Sequence, residues 1–212
     1  MCIRDSPNDV HRILASLALP LYLTTNPDNF MAEALAARAN GAAQTISPVR
    51  EFCRWDIHLD QHTSRLAADE VYEPSTEAPL VYHLFGSDEE LNSLVITEDD
   101  YLRFLVRVTA ERDRIPNMIR EALSSKSLMF IGYNLYDWEF RVLLHGVVGN
   151  LDQRLGFKHV AVQLDFKEAG NADTAAVHDF LERYFNHADI NVFWGSPAQF
   201  AAELREHWEV AQ

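Results

Sequence analysis

Two side chains able to take part in bond cleavage, the amide of Asn26 and the imidazole of His83, each follow a short apolar run, residues 21–25 and 80–82. Such runs have the length of buried parallel strands, and open α/β sheets bind ligands at the carboxyl edges of their strands. Thr24-Thr25-Asn26-Pro27-Asp28 offers an amide with a carboxylate two residues on, and His83-Leu84-Phe85-Gly86 an imidazole followed by a glycine. On a shared edge these groups could orient a polar reactant and move one proton. Each also has an ordinary structural use. An asparagine before proline forms turns, Asp28 fits the first turn of a helix, and His83 is one of nine histidines, marked out only by its strand end and by Gly86.

The elements that would position them follow from periodicity. Residues 8–19 have helical spacing through Val10, Ile13, Leu14 and Leu17, and Pro20 ends them before the strand at 21–25. A second helix is expected over 27–37, capped by Asn26 or Asp28. Between 40 and 78 the pattern weakens around Gly41, Pro48 and Pro74, which reads as a small inserted lobe between the two site segments. Residues 80–84 form the next strand. Residues 97–125 are helical with a break near Pro116, opened by a capping-box pair, Thr97 and Asp100. Further strands are expected over 127–131, 158–164 and 190–194, and helices over 138–148, 174–185 and 197–208. Strands alternating with helices imply an α/β fold, a Rossmann-like parallel sheet with helices on both faces. Asp137 is placed to cap the helix at Trp138, His145 reads as structural, Trp194 and Gly195 as a strand end and turn, and Phe193 and Phe200 as core. The acidic run 88–90 reads as a solvated face.

Composition narrows the function classes. The 212 residues fit one ordinary domain, with 48% hydrophobic content sufficient for a core. With 18 Lys plus Arg against 32 Asp plus Glu, the formal net charge of −14 opposes any surface that must neutralise many phosphates, so direct nucleic-acid binding is not expected. Two cysteines, Cys2 and Cys53, supply neither a disulfide framework nor a zinc ribbon. A reducing, cytoplasmic setting is expected, with no membrane span. Residues 1–6 read as a translated sequencing artefact and are set aside, leaving a domain over 7–212.

Five blocks taken together resemble a known family. LYLTTNPDNFMAEAL (21–35), VYHLFG (81–86), VITEDDYLRF (95–104), LMFIGYNLYDWEFRVLL (128–144) and VFWGSPAQFAAEL (192–204) occur in the order found in the sirtuin-like, silent-information-regulator-type NAD-hydrolase domain of bacterial anti-phage defence proteins. The resemblance implies NAD as substrate and a glycohydrolase that releases nicotinamide and ADP-ribose, within a protein that oligomerises or carries a fused sensor domain. It assigns catalysis to Asn26, as positioner of ribose and water, and to His83, as general base or ribose-hydroxyl partner. Thr25, Asp28, Gly86, Gly132 and Asn134 are assigned to NAD, Asp28 near the nicotinamide carboxamide. Asn134 stands where many relatives carry serine.

Two absences shape these expectations. No CxxC pair is present, so the zinc module of protein-deacylating sirtuins is not expected and water is favoured over acyl-lysine as acceptor. No glycine-rich turn precedes residue 21, so the chain reads as an amino-terminally truncated domain lacking the first strand and its phosphate cradle. The alternative function is a module that senses NAD or ADP-ribose without turnover; a deacylase comes third.

Overall fold

The computed structural model describes residues 10–38, 46–64, 66, 72–133, 159–163, 174–186 and 189–211. They fall into two units, Met1–Pro116 and Asn117–Gln212.

In the first unit, helix α1 (Val10–Ser16) leads to strand β1 (Leu21–Thr24), helix α2 (Phe30–Ala36), strand β2 (Val49–Phe52), strand β3 (Leu80–His83) and helix α3 (Glu98–Ala110). The sheet is parallel in the order β1-β3-β2, with Thr24 and Phe52 both in register with His83. All four residues of central β3 are buried, as an uninterrupted run covered on both faces requires. Helices α1 and α2 pack together, and Ala15, Tyr22, Met31, Ala32, Leu35 and Val81 form one apolar cluster. Fully burying a side chain the size of Leu35 is worth about 1.5–3 kcal/mol, so this cluster fixes where β1 ends. The Tyr22 hydroxyl donates to the Leu14 carbonyl at 3.1 Å and accepts from the Leu19 N–H at 3.2 Å, pinning the turn between α1 and β1.

Helix α3 starts where the sequence placed it. Thr97 Oγ1 accepts from the Asp100 N–H at 3.1 Å while Asp100 Oδ2 accepts from the Thr97 N–H at 3.1 Å, satisfying two orphan donors reciprocally. Tyr101, Phe104, Leu105 and Val108 are its buried positions, the helical i, i+3, i+4, i+7 stripe. The break near Pro116 is a 3₁₀ turn, Arg112–Arg114, before helix α4 (Asn117–Ser125) opens the second unit.

The second unit holds a parallel sheet in the order β4-β5-β6, formed by β4 (Met129–Phe130), β5 (His159–Gln163) and β6 (Ile190–Trp194). Helix α5 (Thr174–Asn186) packs against β6 and helix α6 (Pro197–Ala211) against β5. Ala161, Leu181, Phe185 and Ile190 form its core. Phe193 and Phe200 meet edge to face, ring centres 5.1 Å apart.

The α/β class and parallel pairing match the sequence reading, with three differences. The described strands form two three-stranded sheets, one per unit. Strand β2 lies inside the span read as an inserted lobe. Helix α2 begins at Phe30 rather than 27, after Asn29. The expected helix at Trp138, with Asp137 and His145, lies outside the described residues, as does Asn134. Among the described residues no helix is long and apolar enough to cross a membrane, and no cluster of three or more His, Cys, Asp or Glu is arranged to hold a metal ion.

Candidate functional site

Strands β1 and β3 run parallel and in register, so their carboxyl ends open side by side. The backbone continues the pairing past the strands: Leu84 N–H donates to the Thr24 carbonyl at 2.8 Å and Cys53 N–H to the His83 carbonyl at 2.9 Å. Thr25, partly buried, and Asn26, exposed, follow β1. Thr24 Oγ1 accepts from the Asn26 N–H at 3.0 Å, turning the chain there.

Nδ1 of His83 lies 2.9 Å from the backbone carbonyl of Asn26. A carbonyl can only accept, so Nδ1 carries the proton, and in the neutral ring Nε2 holds the free lone pair. His83 is fully buried, and its Nε2 has no hydrogen-bond partner among the described residues. Burial pushes the imidazole below its ordinary value. The Asn26 carbonyl and the Asp88 and Asp28 carboxylates work in the opposite direction, and the Arg50 charge reinforces the lowering. The result is a neutral imidazole with an uncommitted base nitrogen beside the exposed Asn26.

Asp28 takes the local structural part that its position allowed. Its Oδ1 accepts from the Phe30 N–H at 3.1 Å, an Asx turn that opens α2. The loop after β3 is tightly wound. Gly86 sits at φ +89° with the Ser93 carbonyl 2.2 Å from where a Cβ would stand, so only glycine fits. Ser87 N–H donates to Ser93 Oγ at 3.0 Å, Ser93 Oγ donates to the Glu90 carbonyl at 2.6 Å, and Trp55 Nε1 donates to the Ser93 carbonyl at 2.8 Å. Asp88 N–H then reaches across to the Pro27 carbonyl at 2.9 Å, joining the two loops a second time.

The acidic run 88–90 is solvated, with the Asp88 and Glu89 side chains 50% and 45% exposed, and it is also tied down from one side. Arg50, on β2 and with its side chain 14% exposed, donates through Nη2 to Asp88 Oδ1 at 2.6 Å and Ser87 Oγ at 3.0 Å, and through Nη1 to Glu89 Oε1 at 2.7 Å. The hydrogen bond from Arg50 holds the Asp88 carboxyl below its usual range. Glu90 Oε1 accepts from the Asn92 N–H at 3.2 Å, and its Oε2 lies 3.3 Å from His62 Nε2. Arg50 is invisible to local pattern reading, since its partners lie 37 to 39 residues away. The available signal is an acid triplet directly after the candidate histidine loop.

The site segments thus bring together Thr25, Asn26, Asp28, His83 and Gly86. Gly132 belongs to the second unit, where its φ is +81° and no described atom lies within 4 Å of the place a Cβ would take.

A family model for the SIR2-like domain matches residues 20–203. The chain belongs to the SIR2-like domain family. The match begins one residue before β1 and takes in both site loops. No curated protein shows significant similarity to the chain. SIR2-like domains bind NAD, and membership places this chain in NAD-related chemistry and in the Rossmann-like α/β class.

Proposed function

We propose that this SIR2-like domain is an NAD glycohydrolase that cleaves the nicotinamide–ribose bond. The observation that supports this best is the fixed tautomer of His83, whose uncommitted Nε2 lies on a ring hydrogen-bonded to the Asn26 backbone. In the reaction the C–N bond breaks and its electron pair leaves with nicotinamide. Water adds to the oxocarbenium-like ribose carbon, and its proton passes to His83 Nε2. Asn26 orients the ribose and the attacking water. The second carboxylate oxygen of Asp28, Oδ2, receives the carboxamide N–H, while Thr25 and Gly86 are assigned to NAD by the same resemblance. By resemblance alone, Gly132 is assigned to close approach of backbone to cofactor and Asn134 to the turn that holds the adenosine ribose. The five sequence blocks support a role in bacterial anti-phage defence, with oligomerisation or a fused sensor domain as its control.

A second reading draws on the complete burial of His83. Nε2 meets a reactant only if the loops part, which favours a module that binds NAD or ADP-ribose without turnover. One experiment separates the two. The purified chain and its Asn26→Ala and His83→Ala variants are incubated with NAD, with nicotinamide release followed by chromatography and binding by calorimetry. Hydrolysis reduced at least roughly a hundredfold in both variants is the expected result. Binding without release establishes the sensing module instead, and equal turnover in all three proteins removes both residues from catalysis.

A further inference from the structure

We propose that Arg50 is the positioning residue of the Asn26–His83 pair, holding the two loops in their mutual geometry through Asp88; this rests on the reading that the pair acts on NAD. The contacts close a ring. Arg50 Nη2 holds Asp88 Oδ1 at 2.6 Å, and the Asp88 N–H holds the Pro27 carbonyl at 2.9 Å. One peptide back, the Asn26 carbonyl holds His83 Nδ1 at 2.9 Å, and the His83 carbonyl holds the N–H of Cys53, three residues beyond Arg50, at 2.9 Å. Every link except the first is a backbone group or the catalytic ring itself. Apart from the imidazole itself, the charged link is therefore the one place in this ring where a side chain sets the spacing of the two loops.

Arginine suits this task and lysine does not. The guanidinium fork engages Asp88 and Ser87 through one nitrogen and Glu89 through the other, whereas an ammonium offers a single point charge without a planar fork. A guanidinium this far buried is costly unless paired, and the sequence supplies both carboxylates at consecutive positions. The loop they belong to starts at His83, so a shift at Asp88 is transmitted to the Pro27–Asn26 peptide and to the ring that the peptide orients.

The test compares the full chain with Arg50→Gln and Arg50→Lys by three measurements: NAD turnover, amide exchange at Asp88, and titration of the His83 ring nitrogens by NMR. In Arg50→Gln the expected result is kcat lowered roughly tenfold to a hundredfold with a smaller change in KM, Asp88 exchange faster by at least about tenfold, and His83 titrating at higher pH. The upward direction follows because a nearby cation is lost while Asp88 and Asp28 remain. Arg50→Lys should fall between the two. Should the chain prove to bind NAD without turnover, the exchange and titration data still decide the positioning claim. A folded Arg50→Gln with native Asp88 exchange and native His83 titration overturns it. If Arg50→Gln does not fold, Asp88→Asn, which keeps the backbone link but weakens the charged one, must show the same faster exchange at residue 88; unchanged exchange there also overturns it.

Discussion

The carbonyl oxygen of Ser93 lies 2.2 Å from the position a β-carbon on Gly86 would occupy. That oxygen belongs to the backbone of the same loop and cannot swing aside. Gly86→Ala therefore combines a left-handed backbone, costing about 1–3 kcal/mol, with a clash that moves the segment between His83 and Ser93. Gly132 has a similar φ, +81°, with no such neighbour among the described residues, so Gly132→Ala should cost less than Gly86→Ala, about the 1–3 kcal/mol of the backbone strain. Denaturant unfolding of the two variants checks this. A Gly86→Ala variant no less stable than Gly132→Ala would show that the loop after β3 is slack.

His83 gives the fold a defined response to acid. Its imidazole titrates below the ordinary 6.5 because it is buried, so the unfolded chain takes up this proton before the folded one does. Stability from this group is fully present above about pH 6.5 and is lost as the pH falls through that value towards the lowered one. His83→Gln removes the titration. The loss of stability between about pH 7.5 and about pH 5.5 should be smaller in the variant than in the parent, read from urea midpoints at both values. Parallel losses would mean that the ring is already charged in the fold.

Cys53 is fully buried, and burial pushes its thiol from 9.0 up to about 12. The neighbouring Tyr82 hydroxyl, buried on central β3, is raised as well, first by burial and then by the thiol itself. At about pH 8 the thiolate fraction is then about a thousandfold below that of a free cysteine. Iodoacetamide should leave Cys53 unmodified in the folded chain and alkylate it once the first unit opens, as peptide mapping by mass spectrometry would show. Rapid alkylation under native conditions would contradict the packing of β2 and β3.

How much of this is legible in the sequence depends on whether a residue's partner is near in the chain. The runs Leu21–Thr24 and Leu80–His83 announce themselves because apolar residues dominate there, and α3 because Thr97 and Asp100 cap within three residues of each other. Strand β2 is hidden by two charges, Arg50 and Glu51, at its centre. Arg50 is paired with Ser87, Asp88 and Glu89, which no local pattern connects to it, while buried Glu51 takes Arg54 Nη2, three residues on, at 3.0 Å and the more distant Ser64 Oγ at 3.0 Å. The loop of Asn26 and that of His83 are each readable as a strand end. That the two meet through the Asn26 backbone carbonyl is not, since every residue carries such a carbonyl and only the register of β1 on β3 selects this one.

Trp55 supplies the last constraint on the loop that follows His83. Its indole N–H donates to the Ser93 carbonyl at 2.8 Å, both residues being buried, and its ring meets Phe104 of α3 edge to face. Trp55→Phe keeps an aromatic ring against Phe104 but removes the donor, which costs about 1–3 kcal/mol for a buried acceptor left without it, with a further loss from the smaller ring. The two contributions separate by location. Loss of the hydrogen bond frees the Ser93 carbonyl and with it the Ser87 N–H that Ser93 Oγ holds, so the amide of Ser87 should exchange at least about tenfold faster. Loss of packing instead loosens α3 around Phe104. Amide exchange of the variant, compared residue by residue with the parent, decides between them: acceleration confined to α3, with Ser87 as protected as before, would mean that the indole only fills space and that the loop between His83 and Asp88 is held by Arg50 and Gly86 without it.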